Sequence, residues 1–256
     1  KWTSKDRLVI EGGSAGGLDR LDPRTGQVTH HQIGGADPLV RSLMVDRQGQ
    51  LWIGSVLGLA RRDSASGRIT PVPVADGPGG VFKDAVLSLA QGSRGQILFG
   101  TLKSGIGVVA DNRASARMLA LANVRDVEAN MILALAELSP DRWWATTYGG
   151  GIIEFAASSG KGRRILHQPA VNSSLGHDRA AALMRDRSGL VWVSNERSVD
   201  TYNPGNRAVS TVFGSEGQLE AAVSATMTDS AGRVWLGLAD QGIDLVYPDG
   251  ARSAAL

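Results

Sequence analysis

Short apolar runs separated by glycine-containing turns recur along the chain. In the segment 40–54, apolar residues at Val40, Leu43 and Val45 are followed by a turn at 46–49 and then by the run Leu-Trp-Ile-Gly. Alternating apolar residues are typical of a half-buried strand, and a short continuous apolar run is typical of a strand buried on both faces. The pattern therefore predicts two strands joined by a turn.

A third and a fourth strand complete each repeat. The third opens with a Gly-Leu pair, as at Gly17 and Leu18, and ends at a polar turn such as 23–26, after which a more polar strand follows at 27–31. Helical periodicity is nearly absent. The segment 125–138 is rich in helix-forming residues, but its position in the repeat predicts that most of it is an inner strand after a loop.

This repeat occurs six times, with equivalent positions at 9, 52, 98, 144, 192 and 235, which lie 43 to 48 residues apart. Four short antiparallel strands in about 45 residues match the period of a propeller blade. The sequence therefore predicts an all-β chain, a β-propeller built from about six four-stranded antiparallel blades in a single domain, 1–256. The predicted repeats span approximately 1–33, 34–75, 76–121, 122–168, 169–213 and 214–256.

The recurring run Asp-x-x-Gly-x-(Leu/Val)-Trp-(Ile/Val/Leu)-Gly, followed by Gly-Leu and a polar turn, resembles the two-component regulator propeller repeat. The resemblance is strongest at 40–59, 181–200 and 223–243, and weakest at 86–106, where Leu98 stands in place of Trp. It implies an extracytoplasmic, periplasmic sensor domain of a bacterial histidine kinase or diguanylate cyclase. Sensors of this family usually have seven blades per propeller, often in tandem. A six-bladed ring closed by pairing its termini and a part of a seven-bladed or larger array both remain open.

Composition narrows the function classes. The chain has 42% apolar and 20% charged residues, which excludes a disordered or collagen-like protein. Lys and Arg total 27 against 25 for Asp and Glu, with no basic run, so nucleic-acid binding has little support. The absence of Cys excludes disulfides, thiolate metal sites and a Cys nucleophile.

No apolar run approaches the roughly 18 residues that a membrane helix needs. The chain begins at Lys1 rather than Met, and we expect it to be a piece of a longer protein. Membrane attachment is therefore expected only through segments outside this chain.

The aromatic anchors of the repeat are predicted to be structural. Each is expected to pack between adjacent blades and to bury on the order of 150–250 Å², and stacking on a ligand is the alternative. These residues are Trp52, Trp144, Trp192 and Trp235.

Three turn carboxylates, Asp46, Asp186 and Asp229, are predicted to cap backbone amides. Each turn offers a single acid, which is too few for calcium. The Gly-x-Ser-x-Gly match at 12–16 leads into a strand, whereas a hydrolase elbow needs a strand-to-helix turn.

A ligand-binding face follows from propeller topology, because the loops before the inner strands and those between the second and third strands share one face. Ligands favour such a face because it is concave and its loops are free of packing constraints. We expect Tyr148 and Arg179 to contribute most, since Tyr and Arg dominate binding hot spots. The first loop set contributes Arg41, Lys83, Asp84, Asn130, His177, Asp178 and Arg179. The second contributes Glu11, Tyr148, Asn195, Glu196, Arg197, Asp240 and Gln241.

The sequence favours a non-catalytic ligand-sensing module without cofactor, metal or catalytic residue. Its expected partner is a small molecule or an oligosaccharide, and a homodimer is a further expectation. The rival is a propeller enzyme similar to virginiamycin B lyase or a glycan-active hydrolase, with His177 and either Glu196 or Asp240 converging at the central channel. A structural spacer with no ligand site is the third alternative.

Overall fold

A computed structural model describes eleven segments of the chain, which divide between two compact units, 1–119 and 120–256. The described residues are 16–22, 24–63, 65–75, 84–122, 131–171, 173–186, 188–205, 208–213, 223–239, 242–248 and 251–254, the segment 84–122 spanning the end of the first unit. Each unit is considered separately below.

The described residues of the first unit form one two-stranded sheet and two four-stranded sheets, all antiparallel, in the orders β1-β2, β3-β4-β5-β6 and β10-β9-β8-β7. The strands are β1 (Leu18–Leu21), β2 (Val28–His31), β3 (Val40–Val45), β4 (Leu51–Ser55), β5 (Gly58–Arg62), β6 (Ile69–Pro71), β7 (Val86–Gln91), β8 (Ile97–Thr101), β9 (Ile106–Val109) and β10 (Ala116–Met118).

The second unit holds three four-stranded antiparallel sheets, in the orders β11-β12-β13-β14, β15-β16-β17-β18 and β19-β20-β21-β22. The strands are β11 (Ile132–Ser139), β12 (Arg142–Thr147), β13 (Ile152–Ala156), β14 (Gly162–Ile165), β15 (Ala180–Arg185), β16 (Val191–Asn195), β17 (Val199–Asn203), β18 (Ala208–Phe213), β19 (Val223–Thr228), β20 (Val234–Leu238), β21 (Gly242–Val246) and β22 (Arg252–Ala254).

Every sheet joins strands that follow one another in sequence, and the described residues contain no helix. The all-β prediction is therefore confirmed. Residues 132–138, in the segment rich in helix formers, form most of strand β11 as predicted. The predicted strand at 8–10 lies outside the described residues, and the single domain and the number of blades stay predictions.

The aromatic anchors pack between sheets at three of the four positions. Trp52 on β4 is fully buried in a cluster with Val86 and Phe99 of the following sheet. Trp144 stacks at a tilt on Tyr202, with ring centroids 4.6 Å apart, and Trp192 shares a core with residues of β19 and β20. Trp235, on the last sheet, is only half-buried.

In three repeats, a hydrogen bond links the Asp of the turn to the Trp that follows it six residues later in the sequence. The indole Nε1 donates to the Asp Oδ2 at 2.8 Å for Trp52–Asp46, 2.8 Å for Trp192–Asp186 and 3.0 Å for Trp235–Asp229. We call this pairing the Asp–Trp latch.

The other oxygen of each latch carboxylate caps the turn, as predicted. For Asp46, Oδ1 accepts from the backbone N–H groups of Gln48 at 2.9 Å and Gln50 at 3.0 Å, and Asp186 and Asp229 repeat this geometry. One carboxylate thus closes the turn and fixes the buried aromatic ring.

Among the repeats whose anchor position is described, two depart from the latch, each in a consistent way. Where Leu98 replaces Trp, Gly92 occupies the position six residues earlier, so both partners are absent together. Trp144 has Leu138 at that position, and its Nε1 donates instead to Glu154 Oε2 on the adjacent strand, at 2.8 Å. A buried indole N–H needs an acceptor, and a different element supplies it here.

Candidate functional site

Four residues of the predicted binding face come together in the second unit, and we call them the Arg179 cluster: Tyr148, His177, Arg179 and Glu196. Tyr148 and Arg179 form an isolated antiparallel bridge just beyond strands β12 and β15. The Arg179 guanidinium carbon lies 5.0 Å from the centroid of the Tyr148 ring. Its Nη1 lies 3.2 and 3.3 Å from the two Glu196 carboxylate oxygens.

The cluster is open to solvent. Tyr148 is 48% exposed, and the side chains of Arg179 and Glu196 are 47% and 41% exposed. A cation over an exposed ring contributes about 0.5–1 kcal/mol, and an exposed ion pair contributes about 0–1 kcal/mol. Contacts this weak can be exchanged for contacts with a ligand at small cost.

The backbone beneath these side chains is held firmly. The Gly151 amide donates to the Asp178 carbonyl at 2.8 Å, and the Glu196 amide donates to the Arg179 carbonyl at 3.2 Å. The Asp178 carboxylate accepts from the His167 amide at 2.6 Å. The cluster therefore presents exposed side-chain contacts on a hydrogen-bonded backbone frame.

A buried polar network supports the loop that carries His177. Asn195, Ser198 and Asp200 are almost fully buried, and the Asn195 amide donates to Asp200 Oδ2 at 2.9 Å. The same oxygen accepts from the Gly176 amide at 2.8 Å. Gly176 is required here because a Cβ at this position would collide with the Ser198 hydroxyl.

Sequence reasoning missed Ser198 and Asp200. The available signal is the position of Asp200 between two apolar residues of a short strand, Val199 and Tyr202 being buried, where a carboxylate must find donors. Asn195, which the sequence placed on the binding face, is fully buried and belongs to this supporting network.

The remaining predicted face residues are not members of the Arg179 cluster, and some of them lie outside the described residues. Arg197 is exposed on the β16–β17 turn, and Arg41 is exposed on β3 in the first unit. Asp84, also in the first unit, is buried, and its Oδ2 accepts from the amides of Lys103 and Ser104 at 2.8 and 2.7 Å. The residues outside the described part are Glu11, Lys83, Asn130, Asp240 and Gln241.

The geometry of His177 limits its chemistry. Its Nδ1 accepts from the Arg179 amide at 3.1 Å and lies 3.8 Å from Glu196 Oε2. In the neutral ring the proton therefore sits on Nε2, which then has no lone pair to act as a base. Within the described segments no group of three or more His, Cys, Asp and Glu residues could hold a metal ion, and no helix there is long and apolar enough to cross a membrane.

Comparison of sequences identifies one family. The sequence model of the family described as two component regulator propeller matches residues 34–56. The match covers the turn and latch of Asp46 and Trp52, where the repeat is clearest, so the resemblance seen in the sequence is confirmed. No curated protein matches the chain in sequence.

Comparison of structures places the chain among β-propeller-like domains. An extracellular domain from B. thetaiotaomicron, described as part of a hybrid two component system, superposes with a TM-score of 0.75 at 10% identity. The match covers 94% of this chain and 32% of that one, so this chain spans about a third of its length.

Two further structures share the fold. Virginiamycin B lyase from Staphylococcus aureus has a TM-score of 0.74 at 15% identity, covering 99% of this chain and 81% of that one. PorZ from Porphyromonas gingivalis, a surface component of the type-IX secretion system, has a TM-score of 0.70 at 14% identity, and the match covers 100% of this chain and 41% of that one. At such identities the likeness shows the fold alone, and it confirms the propeller class.

Proposed function

We propose that the chain is a non-catalytic sensing module of an extracytoplasmic signalling receptor and that it binds a small molecule or an oligosaccharide at the Arg179 cluster. The observation that carries the proposal is the convergence of an exposed ring, a cation and a carboxylate on a fixed backbone frame. The match to the two component regulator propeller family at 34–56 supports the signalling role. The likeness to an extracellular domain of a two component system supports the location.

The three polar or aromatic groups suit a polyhydroxylated or zwitterionic ligand. A sugar ring can stack on Tyr148 while its hydroxyls bond to Arg179 and Glu196, and an amino acid can pair its carboxylate and ammonium with the same two charges. Either ligand replaces the weak Arg179–Glu196 pair, so little of the free energy of binding is lost in opening the site.

A thermal-shift screen against oligosaccharides, amino acids and small anions tests the proposal, with mass spectrometry of every hit after incubation. A ligand at about one hundred times its Kd adds about 2.7 kcal/mol to the free energy of unfolding, which raises the Tm by several degrees. The Arg179→Ala and Tyr148→Ala variants are expected to lose the shift. Arg117→Ala and Tyr247→Ala, which change exposed residues on other strands or turns, are the matched controls.

A propeller lyase is the second candidate, favoured by the approach of His177 to Glu196. One similar structure is described as a catalytically inactive His-to-Ala virginiamycin B lyase from Staphylococcus aureus with quinupristin. The His177→Ala variant separates the candidates, because an enzyme loses turnover whereas a sensor at most loses affinity. A hit recovered as a chemically changed product overturns the sensing proposal.

A further inference from the structure

A second concave surface lies in the first unit, far along the chain from the Arg179 cluster. It is a cleft of about 630 Å³ between the outer strands β2 and β6. Its walls include His31, Gln32, Gly34, Gly67, Arg68 and Thr70. Two of these residues are glycines, so parts of the walls are bare backbone and the cleft stays open.

Basic side chains border this cleft on two sides. The Arg62 guanidinium reaches the wall at Gly67, where an added Cβ would lie 2.9 Å from Arg62 Nη2. Arg68, the next residue along the wall, is exposed. On the opposite side, His31 Nε2 is buried and has no hydrogen-bond partner among the described residues.

The surroundings of His31 disfavour its charge. Burial lowers the pKa of His31, and the positive charges of Arg62, Arg20 and His30 lower it further, against an opposing effect of Asp19. Burial and the charge of Arg20 also lower the pKa of Arg62. Like charges gathered in this way are stabilised by an anion placed among them.

Two of the carboxylates near the cleft are paired with His30. Asp19 and Asp37 lie 2.7 and 2.8 Å from the two ring nitrogens of His30, so each pairs with that ring. Gln32 Nε2 donates to the second oxygen of Asp37 at 3.0 Å. Both carboxylates thus pair with His30, although Asp19 also raises the pKa of His31.

On the other side of the cleft, the charge of Asp63 raises the pKa of Arg62. Asp63 Oδ1 also accepts from the Ser66 amide and hydroxyl, each at 2.7 Å.

We propose that the cleft between β2 and β6 binds an oxyanion group, a phosphate or sulfate, through His31, Arg62 and Arg68. Guanidinium groups present paired donors that match the oxygens of such anions, and a protonated His31 adds an Nε2–H donor. Because the bound anion stabilises the imidazolium, affinity rises as the pH falls. The site is independent of the Arg179 cluster.

Histidine NMR titration of the whole chain tests this site. The pKa of His31 is measured in sodium phosphate, in sodium sulfate and in sodium chloride at equal ionic strength. An opposite charge within hydrogen-bonding reach raises the pKa of His31 by about 1 or more. Identical His31 titrations in the three salts overturn the proposal.

Variants assign the response to the cleft. Arg68→Ala, a change at an exposed side chain, is expected to remove most of the phosphate-induced rise, and Arg62→Gln is expected to do the same if it folds. Arg24→Ala, at an exposed turn residue outside the cleft, keeps the full response. A response that survives Arg68→Ala undiminished contradicts the assignment.

The source of the oxyanion is decided by comparing inorganic sulfate with a sulfated disaccharide. A lower half-saturating concentration for the disaccharide assigns a sugar-borne group, and equal concentrations assign the free anion. The Arg179→Ala variant retains the response in either case, so failure of the proposed sensing site and failure of this site are distinguishable.

Discussion

At the residue scale, Asp46 shows how one buried carboxylate can satisfy several groups at once. It accepts from the Trp52 indole and two turn amides, and it forms an ion pair with Arg113 in the β9–β10 turn of the same unit. Burial raises the pKa of Asp46, but these donors lower it overall. In the same way the Trp235 indole, together with Arg233, holds the pKa of Asp229 at about 2.

Replacing Asp46 by Ala leaves the buried Trp52 N–H without an acceptor, and we expect the free energy of unfolding to fall by about 2–4 kcal/mol. Urea denaturation at pH 7 measures the loss. Asp229→Ala is the matched control, with a smaller expected loss because Trp235 is half-buried and can donate to water. Equal losses in the two variants count against the latch as the cause.

His30 gives a pH-dependent prediction. Hydrogen bonds to Asp37 and then Asp19 raise the pKa of His30, and the bond from His30 lowers the pKa of Asp37. The stability that His30 contributes is complete below the unfolded-state pKa of about 6.5. It is lost as the pH rises through the raised pKa of the folded state. The stability that Asp37 contributes is complete above the pKa that Asp37 has in the unfolded chain, and it is lost as the pH falls through the lowered pKa of the folded state.

We therefore expect His30→Gln to destabilise the protein more at pH 6 than at pH 9, because only the protonated ring donates to both carboxylates. Denaturant unfolding at the two pH values measures the difference. Thr29→Ala, an exposed neighbour on β2, is expected to show no pH dependence. A His30→Gln loss that is the same at both pH values refutes this role.

Much of the residue-level picture follows from sequence, but not all of it. The capping role of Asp46 and the packing of Trp52 were each predictable from turn and core chemistry. Their mutual bond was not inferred, although the joint absence of both partners at Gly92 and Leu98 carries the signal. Polarity alone could not separate exposed Arg179, just before β15, from buried Asn195, at the end of β16, because both are polar residues at strand ends and only the fold decides which one points inward.

At the element scale, the sheet of β11–β14 keeps its Trp144 indole hydrogen-bonded, but the acceptor is Glu154 instead of a turn Asp. Burial raises the pKa of Glu154, but hydrogen bonds from Trp144, Arg163 and Arg142 lower it overall. Arg142 also donates to the Tyr202 hydroxyl at 3.2 Å, which ties this sheet to the next one in the same unit. Glu154 on strand β13 thus accepts the indole hydrogen bond that a turn Asp accepts in the repeats with a latch.

Removing Glu154 is therefore expected to be costly. Glu154→Ala leaves the buried Trp144 N–H without its acceptor and breaks two ion pairs, with an expected loss of about 2–4 kcal/mol in the free energy of unfolding. Glu154→Gln keeps an oxygen for Trp144 and is expected to lose less. Thermal or urea unfolding of both variants checks the order, and a larger loss for Gln than for Ala contradicts it.

The positions of the strands were predictable because each carries a local pattern. Val40 and Leu51 begin strands where the apolar runs begin, and Gly58 opens the third strand of that sheet as expected. The role of Glu154 as the acceptor that replaces a turn Asp was not predictable, because its partner Trp144 lies ten residues away on an adjacent strand. Register across strands, rather than composition, determines that contact.

At the scale of the whole molecule, the described residues contain strands and turns but no helix. We expect the far-UV circular dichroism spectrum to show a single broad β-type minimum without the paired minima of helices. A strong helical spectrum contradicts the fold described here.

Because the chain has no Cys, its Tm is expected to be the same with and without a reducing agent.

The Asp–Trp latch has a consequence for how the chain acquires its structure. Each latch spans six residues across one turn, so it forms without contacts distant in sequence and costs little loop-closure entropy. Proteins rich in such local contacts fold quickly for their size, and stacked repeats can nucleate at any point and propagate. The repeats with a latch are therefore expected to be the sites where folding starts, and the one with Leu98 is expected to form late, on a neighbour that is already in place.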